Sequence, residues 1–311
     1  TFYVYRRRNI DEIAPTVTQF YGTAYANVGS MKSWGEELSI SSTNVKTNDF
    51  SWQTSLIYSH NRTEITNLYN QGRVIDLVQG NGFAKQGYPA RALFSIPFVG
   101  INEKGNPVCI NEKGQATVGD LNFQERNNTD YLIYEGSTDP IYNGSLGNTF
   151  NYKGFHLNLF LTYAFGNVVR LDPVFKAKYN DLTSMTHDFK NRWMQPGDEN
   201  VTNVPGVVSR YEYEQNRTLL STAYNAYNYT SVRTAKGDFI RLKEISLAYD
   251  FPHRWLENSP VNNISLKLQA TNLMLLYADK KLNGQDPEFM NAGGVASPMP
   301  KQFTLTLKLG L

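Results

Sequence analysis

The stretch FHLNLFLTYAF at 155–165 limits this chain more than any other feature. Every odd position is apolar or aromatic: Phe155, Leu157, Leu159, Leu161, Tyr163 and Phe165. The even positions are mixed: His156, Asn158, Phe160, Thr162 and Ala164. Successive side chains of a β-strand leave opposite faces, so period two is the strand signature. A strand with one wholly apolar face must lie against something apolar. Either a second protein layer or the hydrocarbon of a membrane meets that need for this strand by itself.

The same period recurs elsewhere. Phe50, Trp52, Thr54, Leu56 and Tyr58 share a face opposite Ser51, Gln53, Ser55 and Ser59, with Ile57 the exception. Phe303, Leu305, Leu307, Leu309 and Leu311 alternate with Thr304, Thr306, Lys308 and Gly310. Ile264, Leu266, Leu268 and Ala270 alternate with Ser265, Lys267 and Gln269. A weaker alternation joins Tyr142, Leu146, Phe150 and Tyr152. Two segments change phase: Ile240 and Leu242 give way to Ile245, Leu247, Tyr249 and Phe251, and the pattern ending at Ala270 resumes at Leu273. A one-residue slip reverses the facing of all later side chains, so a bulge or the edge of an apolar layer is expected at both places.

No apolar run approaches the 18 or so residues of a membrane helix. A transmembrane barrel is still open to this sequence. Its strands of about 9–11 residues alternate, and average hydropathy stays low; the mean here is −0.45. Abundant aromatics (20 Tyr, 17 Phe, 4 Trp) fit many strands. A formal charge of +2 gives no polyanion footprint, so nucleic-acid binding is not expected. One cysteine, Cys109, rules out an internal disulfide and a Cys-based zinc site.

Connections fall into two sizes. Short ones lie at 42–50, 151–155 and 251–263. Long ones are expected near 61–90, 167–236 and 278–299, with one short helix inside 181–195. Short turns alternating with long loops suit a membrane barrel with tight periplasmic turns and long extracellular loops. Strand direction can be followed by parity from the C-terminus. The segments 90–101 and 142–152 would then both run inward, and two consecutive inward strands cannot be neighbours in an up-and-down barrel. One further strand is therefore expected between 102 and 140, giving roughly ten. The expected class is all-β: an antiparallel transmembrane β-barrel over 1–311.

Five stretches carry a family resemblance. GDFIRLKEISLAYDFP (237–252), ATNLMLLYADKKLNGQDPEF (270–289) and SPMPKQFTLTLKLGL (297–311) resemble the C-terminal end of SusC/RagA-type TonB-dependent outer-membrane transporters. MKSWGEELSISSTNVKTNDFSWQTSLIYSHNRTEI (31–65) and YNGSLGNTFNYKGFHLNLFLTYAFGN (142–167) resemble earlier parts of the same barrel, in the same order. The resemblance implies a plugged barrel of about 22 strands, so plug and earlier strands would come from preceding chain. It also implies residence in a bacterial outer membrane and energy from TonB–ExbB–ExbD through the missing N-terminal region. The partner would be a SusD-like lipoprotein, and the cargo an oligosaccharide or oligopeptide. An aromatic is expected at the last position, where this chain has Leu311. The chain opens straight into strand-like sequence and reads as a piece of a longer polypeptide.

No covalent chemistry and no cofactor is expected. His60, His156, His187 and His253 are scattered without metal-ligand spacing. Asp286 and Glu288 could pair for acid–base work or calcium, but a structured turn fixed by Pro287 is the favoured reading. Arg6, Arg7 and Arg8 suit a charged strand end at a membrane surface or lumen. Lys267, Gln269, Thr304, Thr306 and Lys308 would face the lumen. Candidates for ligand or partner contact are Trp193, Tyr211, Tyr213, Tyr224 and Tyr227, since flat rings stack on sugars. Loop packing is the competing role for each. Two other functions stay open: a siderophore- or cobalamin-type receptor of the same architecture, and a soluble β-rich carbohydrate-binding module.

Overall fold

The computed structural model describes residues 1–18, 22–80, 85–180, 182, 185–257, 260–290 and 300–310; for 11–18 and 22–28 only the backbone is described. Leu311, the loop residues 81–84 and 291–299, and part of the 181–195 segment lie outside the described residues. Eight antiparallel strands form one sheet in strict chain order: β1 Phe2–Thr18, β2 Gly22–Lys46, β3 Phe50–Leu68, β4 Tyr142–Tyr152, β5 Phe155–Phe165, β6 Phe239–Asp250, β7 Asn263–Ala278 and β8 Gln302–Gly310. Each strand pairs with the next, the up-and-down pattern of a barrel wall. Short connections lie along one edge, at 47–49, 153–154 and 251–262. The opposite edge carries excursions at 69–141 and 166–238 and the 279–301 connection.

The sheet holds eight of the roughly ten expected strands. The segment near 90–101 and the strand sought between 102 and 140 fold outside it. Ala92–Ser95 pairs with Ile133–Ser137, and Phe98–Ile101, Pro107–Ile110 and Ala116–Thr117 make a three-stranded meander. With both removed from the wall, strand directions alternate without a gap. The first long excursion also starts later than expected, because β3 continues to Leu68.

Register turns the separate alternations into one continuous surface. A row runs Leu307–Leu266–Tyr249–Phe155–Tyr152–Phe50 across six strands. The next runs Leu305–Leu268–Leu247–Leu157–Phe150–Trp52–Val45. Higher up, Leu242, Leu161, Leu146, Leu56 and Ile40 align. No second sheet or helical layer covers these rows among the described residues: Phe303, Leu305, Leu307 and Leu309 are 56–71% exposed. The opposite face pairs Thr306 with Lys267, Thr304 with Gln269, and Asn158 with Thr149 and Ser246. On that face His156 bridges Asn151 and Asp250 at 2.6 and 2.8 Å.

Bulges account for both phase changes. On β6, Glu244 opposes Phe160 and Leu242 opposes Leu161, so Lys243 is the extra residue. That slip keeps Ile240 and Leu242 on the same face as Ile245, Leu247 and Tyr249. On β7 the slip falls at Asn272, whose φ of 54° is left-handed. Past it, Met274 and Tyr277 oppose Leu242 and Ile240, so the apolar face resumes at Met274 rather than at Leu273.

Aromatic side chains border the apolar rows on both sides. Phe50, Tyr152, Phe155 and Tyr249 lie near the short-turn edge, and Tyr58, Tyr142, Tyr163, Phe165 and Tyr277 near the other. Tyr163 crosses the bare backbone of Gly144 and donates to the Ile57 carbonyl at 3.3 Å. Eight to ten residues separate the two rims, roughly 27–33 Å along a strand and about 20–25 Å along the normal at the tilt usual in membrane barrels. That height matches the apolar band of an outer-membrane barrel.

Candidate functional site

The two long excursions fold together into a body on the long-loop edge, and its core draws on both. Val74, Leu77, Val78, Phe94, Ile96 and Cys109 from the first pack with Ala226 and Tyr229 from the second. Its helices are α1 Val74–Gln79, α2 Arg210–Gln215 and α3 Arg217–Asn228. Only a short helix inside 181–195 was expected; a 3₁₀ turn occupies His187–Asn191, and the main helix, α3, lies further on. Leu220, Ala223, Tyr224 and Tyr227 are buried along α3, spaced as one helical stripe.

Arg170 joins the two excursions. Its guanidinium donates to the carbonyls of Thr230, Phe94 and Val78 at 2.8, 2.7 and 3.2 Å, and to Ser95 Oγ at 3.1 Å. Burial pulls its pKa down to about 10, so it is still charged at neutral pH. Replacing Arg170 with Ala strands three interior carbonyls and should cost the body about 2–3 kcal/mol. Limited proteolysis checks this: cleavage within 69–141 and 166–238 should rise several-fold while the wall strands stay protected.

Helix α1 is fixed at its start by Asp76, which accepts from the Arg73 backbone N–H at 3.0 Å and from the Arg73 guanidinium at 2.8 Å. The Arg73 side-chain hydrogen bond holds the Asp76 carboxyl below its ordinary range. A carboxyl with a lowered folded-state pKa stabilises fully above its unfolded value, about 4, and loses that contribution as pH falls through the folded value. Proteolysis around residues 69–80 should therefore be flat down to about pH 4 and rise in stronger acid. In Asp76→Asn the acid-induced rise should be absent, against a higher baseline.

The five aromatic candidates have different surroundings. Tyr211 is 79% exposed. Tyr213 is half-buried beside Ser221 Oγ, 3.2 Å away, with the Lys178 ammonium over its ring. Trp193 is half-buried; its ring covers Gly105 and Gly206, and its indole N–H donates to Glu199 at 2.9 Å. With the Gly206 N–H to Gly105 carbonyl bond at 2.9 Å, it fastens the meander to the second excursion. Tyr224 and Tyr227 are 1% and 2% exposed. The Tyr224 hydroxyl donates to the Gly206 carbonyl at 2.6 Å, and Tyr227 meets Phe175 and Phe98 edge-on. Neither ring offers a face to a sugar or a partner; both support the body from within, so ligand contact is withdrawn for these two.

Sequence reading missed Arg241. It lies on the polar side of β6, opposite Thr162, and is 6% exposed. It holds both Asp286 oxygens at 2.6 Å and Glu288 at 3.1 Å. The NGQDPEF turn is therefore a turn clamped to the wall, and its carboxylates are engaged. Nearby contacts fix the same connection: Asp279 accepts from the Lys236 N–H, and Gln285 donates to Asp172. Between wall and rim body lies a cavity of about 640 Å³ bordered by Arg91, Asp139, Ser145, Thr162, Lys243 and Glu288. Charges of both signs and hydroxyls suit it to a polar guest. Among the described residues no group of three or more His, Cys, Asp or Glu side chains converges as a metal site.

No protein-family model matches the chain. Curated relatives do. A TonB-dependent receptor of Formosa agariphila is 26% identical over 99% of this chain. The TonB-dependent receptor SusC of Bacteroides thetaiotaomicron is 25% identical over 96%. A solved structure of the RagAB peptide transporter superposes over 99% of the chain with a TM-score of 0.71 at 22% identity. The chain is thus similar in sequence to SusC and shares its fold with the matching part of the RagAB transporter. It spans about a third of the length of these relatives: 32% of the Formosa receptor, 28% of SusC and 33% of the RagAB chain. These SusC/RagA-like relatives are named as receptors and transporters, not as enzymes.

Proposed function

We propose that this chain forms part of the wall and outer rim of a TonB-dependent importer in a bacterial outer membrane. The importer takes up oligopeptides or oligosaccharides together with a SusD-like surface lipoprotein. One observation carries the reading: an uncovered apolar face runs in register across the sheet, backed by a polar face and bounded by aromatics. Lipid satisfies such a face, and an edge-paired sheet satisfies its backbone within lipid. The long-loop edge is then extracellular, including the excursions at 69–141 and 166–238 and the 279–301 connection. The plug and the TonB-contacting segment belong to the remainder of the longer protein. Tyr211, the most exposed of the aromatic candidates, is the ring best placed to meet the lipoprotein or the cargo, with half-buried Tyr213 and Trp193 as further candidates in the same excursion.

The test uses the full-length protein in its own host. It should stay in the membrane after high-salt and carbonate washes, need detergent for release, and co-purify with a surface lipoprotein. Deleting its gene should abolish growth on one class of oligomer, peptide or glycan, and spare growth on the monomers. Release into aqueous buffer as a folded soluble protein would remove the proposal.

A further inference from the structure

We infer that the outer wall carries a docking site for the phosphorylated headgroup of an outer-leaflet glycolipid, built on β1, β2 and β3. The inference rests on the membrane reading above. The apolar face continues upward on these strands as Phe2, Leu38 and Tyr58, which share one row. Val4, Glu36 and His60 form the next row. Above it stand Arg6, Trp34 and Arg62, followed by Arg8, Lys32 and Glu64. No register shift interrupts β1 before Asn9 or β2–β3 over these rows, so all four cations project to the lipid side.

Height and charge together select the occupant. Arg62 lies four residues above Tyr58, about 13 Å along the strand and about 10 Å along the normal, the depth of headgroups. Arg6 and Arg62 flank Trp34 from the two adjacent strands, so their backbones are about 10 Å apart. Arg8 and Lys32 stand one row above, about 7 Å further on. The Lys32 ammonium lies over the Trp34 ring, 5.6 Å from its centroid, and pairs with Glu64 at 2.9 Å. Glu36 sits below and is exposed. No described carboxylate pairs with Arg6, Arg8 or Arg62, and Arg6 and Arg62 are exposed. Three guanidinium forks without a described carboxylate partner, around an interfacial tryptophan, match phosphate oxygens, which accept bidentate bonds from arginine. The acyl chains of the same lipid would lie on the apolar rows directly below. Arg7 faces the other way, with Ser33 opposite.

Full-length protein extracted in detergent should be incubated with bis-phosphorylated lipid A or with the same lipid dephosphorylated, and bound lipid counted by native mass spectrometry. The wild type should retain the phosphorylated form at least five-fold over the other. Arg6→Gln/Arg62→Gln should lose that preference, while Arg7→Gln keeps it; heat-modifiable migration on gels verifies that each variant is folded. Equal retention of the two lipids by the wild type would overturn the inference whatever the variants do, as would equal loss in Arg7→Gln. A protein that needs detergent yet shows no phosphate preference removes this site alone, whereas one soluble without detergent removes the membrane reading as well.

Discussion

Replacing Arg241 with Ala should cost about 3–5 kcal/mol, the usual penalty for leaving a buried carboxylate without its cation. Arg241 and Asp286 are both about nine-tenths buried, and the pair closes at 2.6 Å through both carboxylate oxygens. Glu288, at 44% exposure, can turn to solvent, whereas Asp286 cannot. The reverse change, Asp286→Ala, should cost less, because Glu288 at 3.1 Å still partners the guanidinium. Arg241→Lys should recover only part of the loss, since an ammonium cannot supply the fork. Urea unfolding of the full-length protein, followed by loss of the heat-modifiable band, measures all three. An Arg241→Ala midpoint equal to wild type would show that the clamp is unimportant. The same variant should free the 279–301 connection, read as faster proteolysis at its start.

Placing an arginine at Leu159 should destabilise the full-length barrel by about 2–4 kcal/mol, the cost of a cation near the middle of the apolar band. Leu159 stands midway between the aromatic rims on β5, with Ile245 beside it on β6. Arginine at Gln53, an exposed residue on the polar face of β3, should change stability by no more than about 0.5 kcal/mol. The two substitutions introduce the same charge on opposite faces of one sheet. A similar loss from both, or none from Leu159→Arg, would mean that the apolar rows do not face lipid. Unfolding measured in lipid vesicles gives the comparison directly.

Facing is a local property, and the sequence carried it. Parity alone identified Leu157 and Leu159 as one surface and Lys267 and Thr306 as the other, because each strand residue turns about 180° from the last. The phase changes at 242–245 and 270–274 were visible for the same reason. Their cause needed coordinates, since only the neighbouring strand shows that Lys243 and Asn272 have no partner of their own. The rim body was far less legible. Tyr224 and Tyr227 looked like ligand-facing rings in a polar loop. The stripe Leu220–Ala223–Tyr224–Tyr227 was present, but Asn, Thr and Tyr are weak helix formers and masked it. The short strands at 92–95 and 98–101 carry the apolar content of wall strands, and only their pairing with 133–137 and 107–110 excludes them from the sheet.

The sequence by itself therefore determined that this is a β protein with one apolar face and one polar face, and which residues lie on each. Tertiary structure decided the count of eight wall strands, the joining of two excursions through Arg170, and the clamp between Arg241 and Asp286. The physical reason is separation along the chain. Side-chain parity is set between adjacent residues by backbone geometry. The partners of Arg170 are up to 92 residues away and Asp286 is 45 from Arg241, and such contacts exist only once the sheet has brought them together.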